Sequence, residues 1–292
     1  MAHKFKGTGV ALITPFLQDG SVDVPALQQL VDDVIAGGVD YLVALGTTSE
    51  GPTLSADEKQ LVLQTIIQQC NKRVPVVCGV GGNNTAQLVH QLQHADMSGI
   101  DGILSVAPYY NKPTQEGIYQ HFKAIAQATA LPIILYNVPG RTASNILPAT
   151  ALKLANEFAH IIAIKEASGN LGQCMELVKN APAHFAILSG DDDLVLAQIA
   201  LGMQGVISVA ANCFTRHFCH MVNHALMNNY DAARALHYQL LEGIGLLFCE
   251  GNPAGVKCVL HNMKRCHNVL RLPLVPVSQT TALKVAAFVA AL

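Results

Sequence analysis

The residues best placed to do chemistry sit in "IIAIKEASGN" (Ile161–Asn170), where an unbroken apolar run ends on a lysine, Lys165. An ammonium group inside such a strand is costly unless it is paired or neutral. A lysine amine attacks a carbonyl carbon only when neutral, and an ordinary pKa of about 10.4 leaves almost none neutral at pH 7. Desolvation favours the neutral amine, and its attack on a carbonyl yields an imine. The protonated imine is an electron sink, so the adjacent carbon loses a proton and becomes an enamine nucleophile. The competing reading pairs Lys165 with Glu166 in a structural ion pair. Successive strand residues point to opposite faces, which counts against that pair.

Imine chemistry moves several protons, and neutral hydroxyls relay them without burying a second charge. Thr47 and Thr48 in "ALGTTSEG", Tyr109 and Tyr110 in "APYYNKPTQEG", and Tyr136 in "ILYNVPGRT" supply candidates. Each tyrosine taken singly also fits aromatic packing at a rim. Whether they act together depends on the elements that carry them.

Those elements repeat. A short β-branched apolar run, a polar or glycine-containing tip and a helical stretch recur along the chain, the runs including "YLVALGTT", "VPVVCGVG", "LPIILYNVP" and "GVISVAAN". Continuous apolarity without alternation marks strands covered on both faces. Eight such units predict an α/β fold, a parallel (β/α)8 TIM barrel. Ser55 followed by Glu58 reads as a capping box for the helix after the second strand. Residues 1–213 are expected to hold the barrel, and 214–292 a closing helix with a C-terminal helical appendage. Barrel sites are built at the C-terminal ends of strands. The second strand is expected to end at Thr47–Thr48, the fourth at Tyr109–Tyr110, the fifth at Tyr136 and the sixth at Lys165, all converging on one mouth.

The 292 residues are half apolar and only 13% charged, which implies extensive burial, part of it between subunits. A formal charge of −2 with no basic patch argues against nucleic acid or an anionic membrane as partner. The opening "MAHKFKGTGV" has no apolar core of signal-peptide length, and no run reaches transmembrane length. The eight cysteines are scattered without a C-x-x-C pair and read as reduced thiols of a cytoplasmic protein.

"GTTSEGPTLSADE", "APYYNKPTQEGIYQHF", "YNVPGRT", "IKEASGN" and "GVISVAAN" together resemble the motifs of the dihydrodipicolinate synthase family, in order and spacing, over essentially the whole chain. The resemblance implies that pyruvate condenses with L-aspartate 4-semialdehyde through a Schiff base on Lys165, toward diaminopimelate and lysine. It makes Tyr136 the proton donor and acceptor, with Thr47 and Tyr110 completing a relay. Tyr110 would be lent across a tight-dimer interface, so the chain would work as a homodimer at least, as a homotetramer if two dimers pair. Thr48 would hold the pyruvate carboxylate, Gly190 and Ile207 would offer backbone carbonyls near the imine, and Arg141 would meet the carboxylate of the semialdehyde with its bidentate fork. Read without the resemblance, Arg141 is an exposed loop charge. No metal or organic cofactor is implied, since the lysine itself is the electron sink.

Family members that lysine inhibits carry polar and histidine residues in a pocket at the tight-dimer interface. The matching positions here are Gly51, Pro52, Ala56, Lys59, Asn83 and Gln87, with Tyr109 retained. The loss of a histidine pair and of a carboxylate leads us to expect weak or absent lysine feedback. The rival enzyme is an N-acetylneuraminate or 2-keto-3-deoxy sugar acid aldolase, which typically has Ser-Thr at the Thr47–Thr48 position and lacks the arginine. A rival of another class is a non-catalytic keto-acid sensor, for which a hydroxyl relay has no use. His217, His220 and His224 fall at near-helical spacing but match no standard ligand pattern, and "SGDDD" (Ser189–Asp193) is read as favouring a helix N-terminus rather than a cation.

Overall fold

The computed structural model describes residues 4–292; residues 1–3, the start of the stretch "MAHKFKGTGV", lie outside them. The apolar runs form eight strands: β1 (Gly7–Ala11), β2 (Tyr41–Ala44), β3 (Val76–Gly79), β4 (Gly102–Val106), β5 (Ile133–Asn137), β6 (Ile161–Glu166), β7 (Ala186–Ser189) and β8 (Gly205–Ser208). They close into a barrel in sequence order, with β8 returning to pair with β1. Every neighbouring pair is parallel, so the expected (β/α)8 barrel is the fold observed.

Side chains alternate between the barrel interior and the helix layer, as the pleat requires. Tyr41, Val43, Val77, Leu104, Ile134, Tyr136, Leu188 and Ile207 fill the interior. The floor belongs to Tyr41, fully buried with its ring edge-on to Phe5 at 5.4 Å. A Cβ on Gly9 would meet that ring at 2.2 Å, so only glycine leaves room for the plug. Outward residues such as Leu42, Cys78, Ile103, Leu135 and Ile164 pack against the helices. Each fully buried aliphatic side chain contributes roughly 1.5–3 kcal/mol of transfer free energy.

The barrel helices are α1 (Val24–Ala36), α2 (Ala56–Cys70), α3 (Thr85–His94), α4 (Gln115–Ala128), α5 (Pro139–Thr142), α6 (Pro148–Glu157), α7 (Leu171–Asn180), α8 (Val195–Ala200) and α9 (Thr215–Leu226). The Ser55–Glu58 capping box opens α2 as expected, and Asn71 ends it in the left-handed conformation at φ 44°. Three further helices follow: α10 (Tyr230–Phe248), α11 (Ala254–Asn262) and α12 (Gln279–Ala291). They share one apolar core with α9, α1, α2 and the outer faces of β1 and β2.

A buried ion pair fastens this C-terminal layer to the barrel. Lys257 of α11 pairs with Glu50, both side chains fully buried, and also donates to the Val269 carbonyl at 2.9 Å over the Phe16 ring. Glu50 accepts a second bond, at 3.0 Å, from the Arg271 backbone N–H. The Arg271 guanidinium reaches Thr53 O at 2.9 Å and Glu58 at 2.8 Å, holding the Glu58 carboxyl down at about 2. Among the described residues no helix is long and apolar enough to cross a membrane, and the eight cysteines are free thiols.

Candidate active site

Lys165 is the last inward-facing residue of β6, and its side chain is 95% buried, with a relative exposure of 5%. Its strand partner across the β5–β6 ladder is Tyr136, and Lys165 Nζ lies 4.5 Å from the centre of that ring. No ion pair among the described residues involves Lys165. Glu166 faces the opposite way, fully buried outside the barrel. It accepts bonds from Asn137 Nδ2 at 2.9 Å, Gln173 Nε2 at 2.9 Å and the Ser168 N–H at 2.8 Å. Strand alternation therefore separates the two charges, and the structural ion pair weighed from the sequence does not form.

Gly190 makes room for the amine. A Cβ there would lie 2.8 Å from Lys165 Cε and 2.5 Å from Ala167 Cβ, so a larger residue would push the lysine chain aside. Lys165, Tyr136 and Gly190 line a cavity of about 180 Å³ at the barrel mouth, together with Thr47, Thr48, Arg141, Asp191, Val209, Phe248 and Asn252. That space suits a small polar molecule. A nucleophilic amine, an adjacent phenol, two threonine hydroxyls and a guanidinium around it can bind carboxylates and exchange protons at a carbonyl carbon.

The threonines reach the cavity by a route unlike the one expected. β2 ends at Ala44, and Thr47–Ser49 form a separate 3-10 turn bounded by Leu45 at φ 54° and Glu50 at φ 57°. Two left-handed residues bend the chain back over the mouth, which a simple strand extension would not do. Thr48 is 1% exposed and accepts a hydrogen bond from Asn252 Nδ2 at 2.9 Å, while Thr47 is exposed. Arg141 sits on α5, exposed at the rim yet part of the cavity wall.

Tyr109 and Tyr110 depart from the expected convergence. β4 stops at Val106, and the loop beyond it carries Tyr110 at φ 73° and Lys112 at φ 46°. Those turns aim the loop outward: Tyr110 is 88% exposed, and neither tyrosine lines the cavity. Ile207 is fully buried in the barrel interior, but Val209, two residues on, is the one that forms the wall. Gly51, Pro52, Ala56, Lys59, Asn83, Gln87 and Tyr109 lie away from the cavity, and all but Gly51 are exposed. Asn83 Nδ2 donates to the Tyr109 carbonyl at 3.1 Å, so those two belong to one surface.

Sequence reasoning missed Asn252, Phe248 and Asp191. Asn252 and Phe248 come from the C-terminal layer, where no local pattern advertises a contact with Thr48. Asp191 was weighed only as part of an acidic run. Burial pushes its carboxyl up to about 6, against the pull of Gln198 Nε2 at 3.3 Å and the Gly169 N–H at 3.3 Å. Asp192 is 1% exposed and accepts from the Val209 and Ala210 N–H groups at 2.9 and 2.8 Å, tying β7 to the loop after β8. Burial raises its carboxyl too. The acidic run directly precedes α8, which starts at Val195 without a side-chain cap, and Asp191 and Asp192 also fasten neighbouring loops. His217, His220 and His224 lie on the partly exposed face of α9, and no group of residues able to hold a metal ion occurs among the described residues.

Comparison with known proteins shows what the whole chain is similar to. The family model described as the dihydrodipicolinate synthetase family matches residues 4–292. A 4-hydroxy-tetrahydrodipicolinate synthase of Azobacteroides pseudotrichonymphae is 55% identical over 276 residues, covering 94% of this chain and 93% of its own. The dihydrodipicolinate synthase structure from Thermotoga maritima superposes with a TM-score of 0.96 at 37% identity, covering 99% of each chain. The chloride-inhibited dihydrodipicolinate synthase from Acinetobacter baumannii, solved as a complex with pyruvate, gives a TM-score of 0.92 at 40% identity, over 97% of this chain and 99% of that one.

Proposed function

The chain belongs to the dihydrodipicolinate synthetase family, and from that membership we propose that it condenses pyruvate with L-aspartate 4-semialdehyde in the cytoplasm. The product is 4-hydroxy-tetrahydrodipicolinate, on the way to diaminopimelate and lysine. The Lys165 amine attacks the pyruvate carbonyl and water leaves, giving the imine. Loss of a methyl proton makes the enamine, which adds to the aldehyde carbon of the second substrate. The amine of that substrate then displaces Lys165 and closes the ring.

One observation carries this reading: a lysine residue only 5% exposed at a strand end, without an ion-pair partner among the described residues, its Nζ over the ring of Tyr136 on a cavity wall. Tyr136 moves protons at the carbonyl oxygen and the enamine carbon. Thr48 holds the pyruvate carboxylate, Thr47 joins the relay, and Arg141 receives the carboxylate of the semialdehyde. Gly190 leaves space at the imine, while the backbone near Ile207 offers it an acceptor. The outward Tyr110 supports a homodimer in which this phenol completes the partner's relay; a tetramer would pair two such dimers. The positions Gly51, Pro52, Ala56, Lys59, Asn83 and Gln87, none of them a carboxylate or a histidine, support weak or absent lysine feedback.

The test is trapping. Incubation with pyruvate and borohydride should leave a reduced adduct on the peptide carrying Lys165, found by mass spectrometry, and Lys165→Ala should abolish it. An enzyme that forms no such adduct does not use this mechanism. Supplying aspartate semialdehyde or N-acetylneuraminate to the pyruvate-free or pyruvate-loaded enzyme then separates the synthase from the sugar-acid aldolase.

A further inference from the structure

Three buried asparagines hold the barrel mouth together, and one behaves differently. Asn212 satisfies both ends of its amide within the fold, accepting from the Ile13 N–H at 3.2 Å and donating to Ala11 O at 2.8 Å and Val209 O at 2.9 Å. Asn137 does likewise, accepting from the Ile146 N–H at 2.8 Å and donating to Glu166 at 2.9 Å. Asn252, 7% exposed, spends its Nδ2 on Thr48 Oγ1 at 2.9 Å, while its Oδ1 is buried with no partner. A purely structural amide at that depth is expected to use both ends. Asn252 instead lines the cavity.

The direction of that bond has a chemical consequence. A hydroxyl can accept and donate, and an amide N–H can only donate. Once Asn252 occupies a lone pair of Thr48 Oγ1, the hydroxyl proton is left to point elsewhere. Thr48 makes no other side-chain hydrogen bond among the described residues, so the cavity is where that proton can be used. We propose that Asn252 is a positioning residue that sets Thr48 as a hydrogen-bond donor to the carboxylate of the keto acid. This rests on the reading of the site as a pyruvate Schiff-base lyase.

The experiment uses pyruvate as probe and the borohydride-trapped adduct at Lys165 as readout, so that binding is followed apart from turnover. Asn252→Asp keeps the shape but can only accept, turning the Thr48 proton away from the cavity. Its half-saturating pyruvate concentration should rise roughly 10- to 100-fold, the worth of a hydrogen bond to a charged group. Asn252→Ala removes the amide without adding charge and should give a smaller rise of the same sign. The decisive measurement is a cycle with Thr48→Val: in that background Asn252→Ala should add nothing further, because its effect passes through the lost hydroxyl. An unchanged pyruvate dependence in both Asn252 variants overturns the proposal, as does a full, additive Asn252→Ala effect without the hydroxyl. Absence of the adduct in the unmodified enzyme would sink the lyase reading itself, a separate result.

Discussion

At the scale of single residues the site turns on how one amine is housed. Lys165 reaches the cavity because Gly190 offers no Cβ, and a methyl group there would sit 2.8 Å from Lys165 Cε. Gly190→Ala is therefore expected to displace the amine by a fraction of an ångström or more, where a misplacement near 1 Å can cost about 100-fold in rate. The same added carbon overpacks the barrel top by about 1–3 kcal/mol. Single-turnover adduct formation and urea unfolding read the two effects, and a normal adduct rate would show that Gly190 is not what seats the lysine. Lys165 was legible in the sequence because a charge ending an apolar run is physically anomalous. Asn252 was not, because what singles it out is a partner 204 residues away, Thr48.

At the scale of elements, continuous apolar runs made the eight strands readable, and a local capping pattern made α2 readable. The threonine turn was misjudged because its course depends on Leu45 and Glu50 in left-handed conformations, held from outside the segment. The holder is α11: Lys257 pairs with the fully buried Glu50 that closes the turn. Burial pulls the Lys257 amine down, and the Glu50 carboxylate pushes it back up. Lys257→Met leaves a buried carboxylate without its cation, and such broken pairs cost about 3–5 kcal/mol. Adding Glu50→Gln should recover most of that loss, because no uncompensated charge remains. Urea unfolding of the single and double variants checks both expectations, and equal instability in the two would mean that packing, not charge, sets the cost.

At the scale of the whole molecule, the outward loop after β4 carries Tyr110 away from the cavity of its own barrel, where it is 88% exposed. If the phenol serves a partner, two crippled chains can repair each other. Lys165→Ala retains Tyr110 and Tyr110→Phe retains Lys165, so a mixed dimer holds one complete site. Co-expressed at equal levels and assorting at random, they should recover roughly a quarter of the unmodified rate. No gain over Tyr110→Phe alone would place the tyrosine's action within its own chain or nowhere. The C-terminal helices have a wider bearing, since Phe248 and Asn252 stand in the cavity wall and Lys257 grips its threonine turn. Transplanting this barrel onto a foreign terminus would carry over the lysine but not its enclosure. Shuffling of the last segment between relatives is therefore expected to alter keto-acid selectivity before it alters the fold.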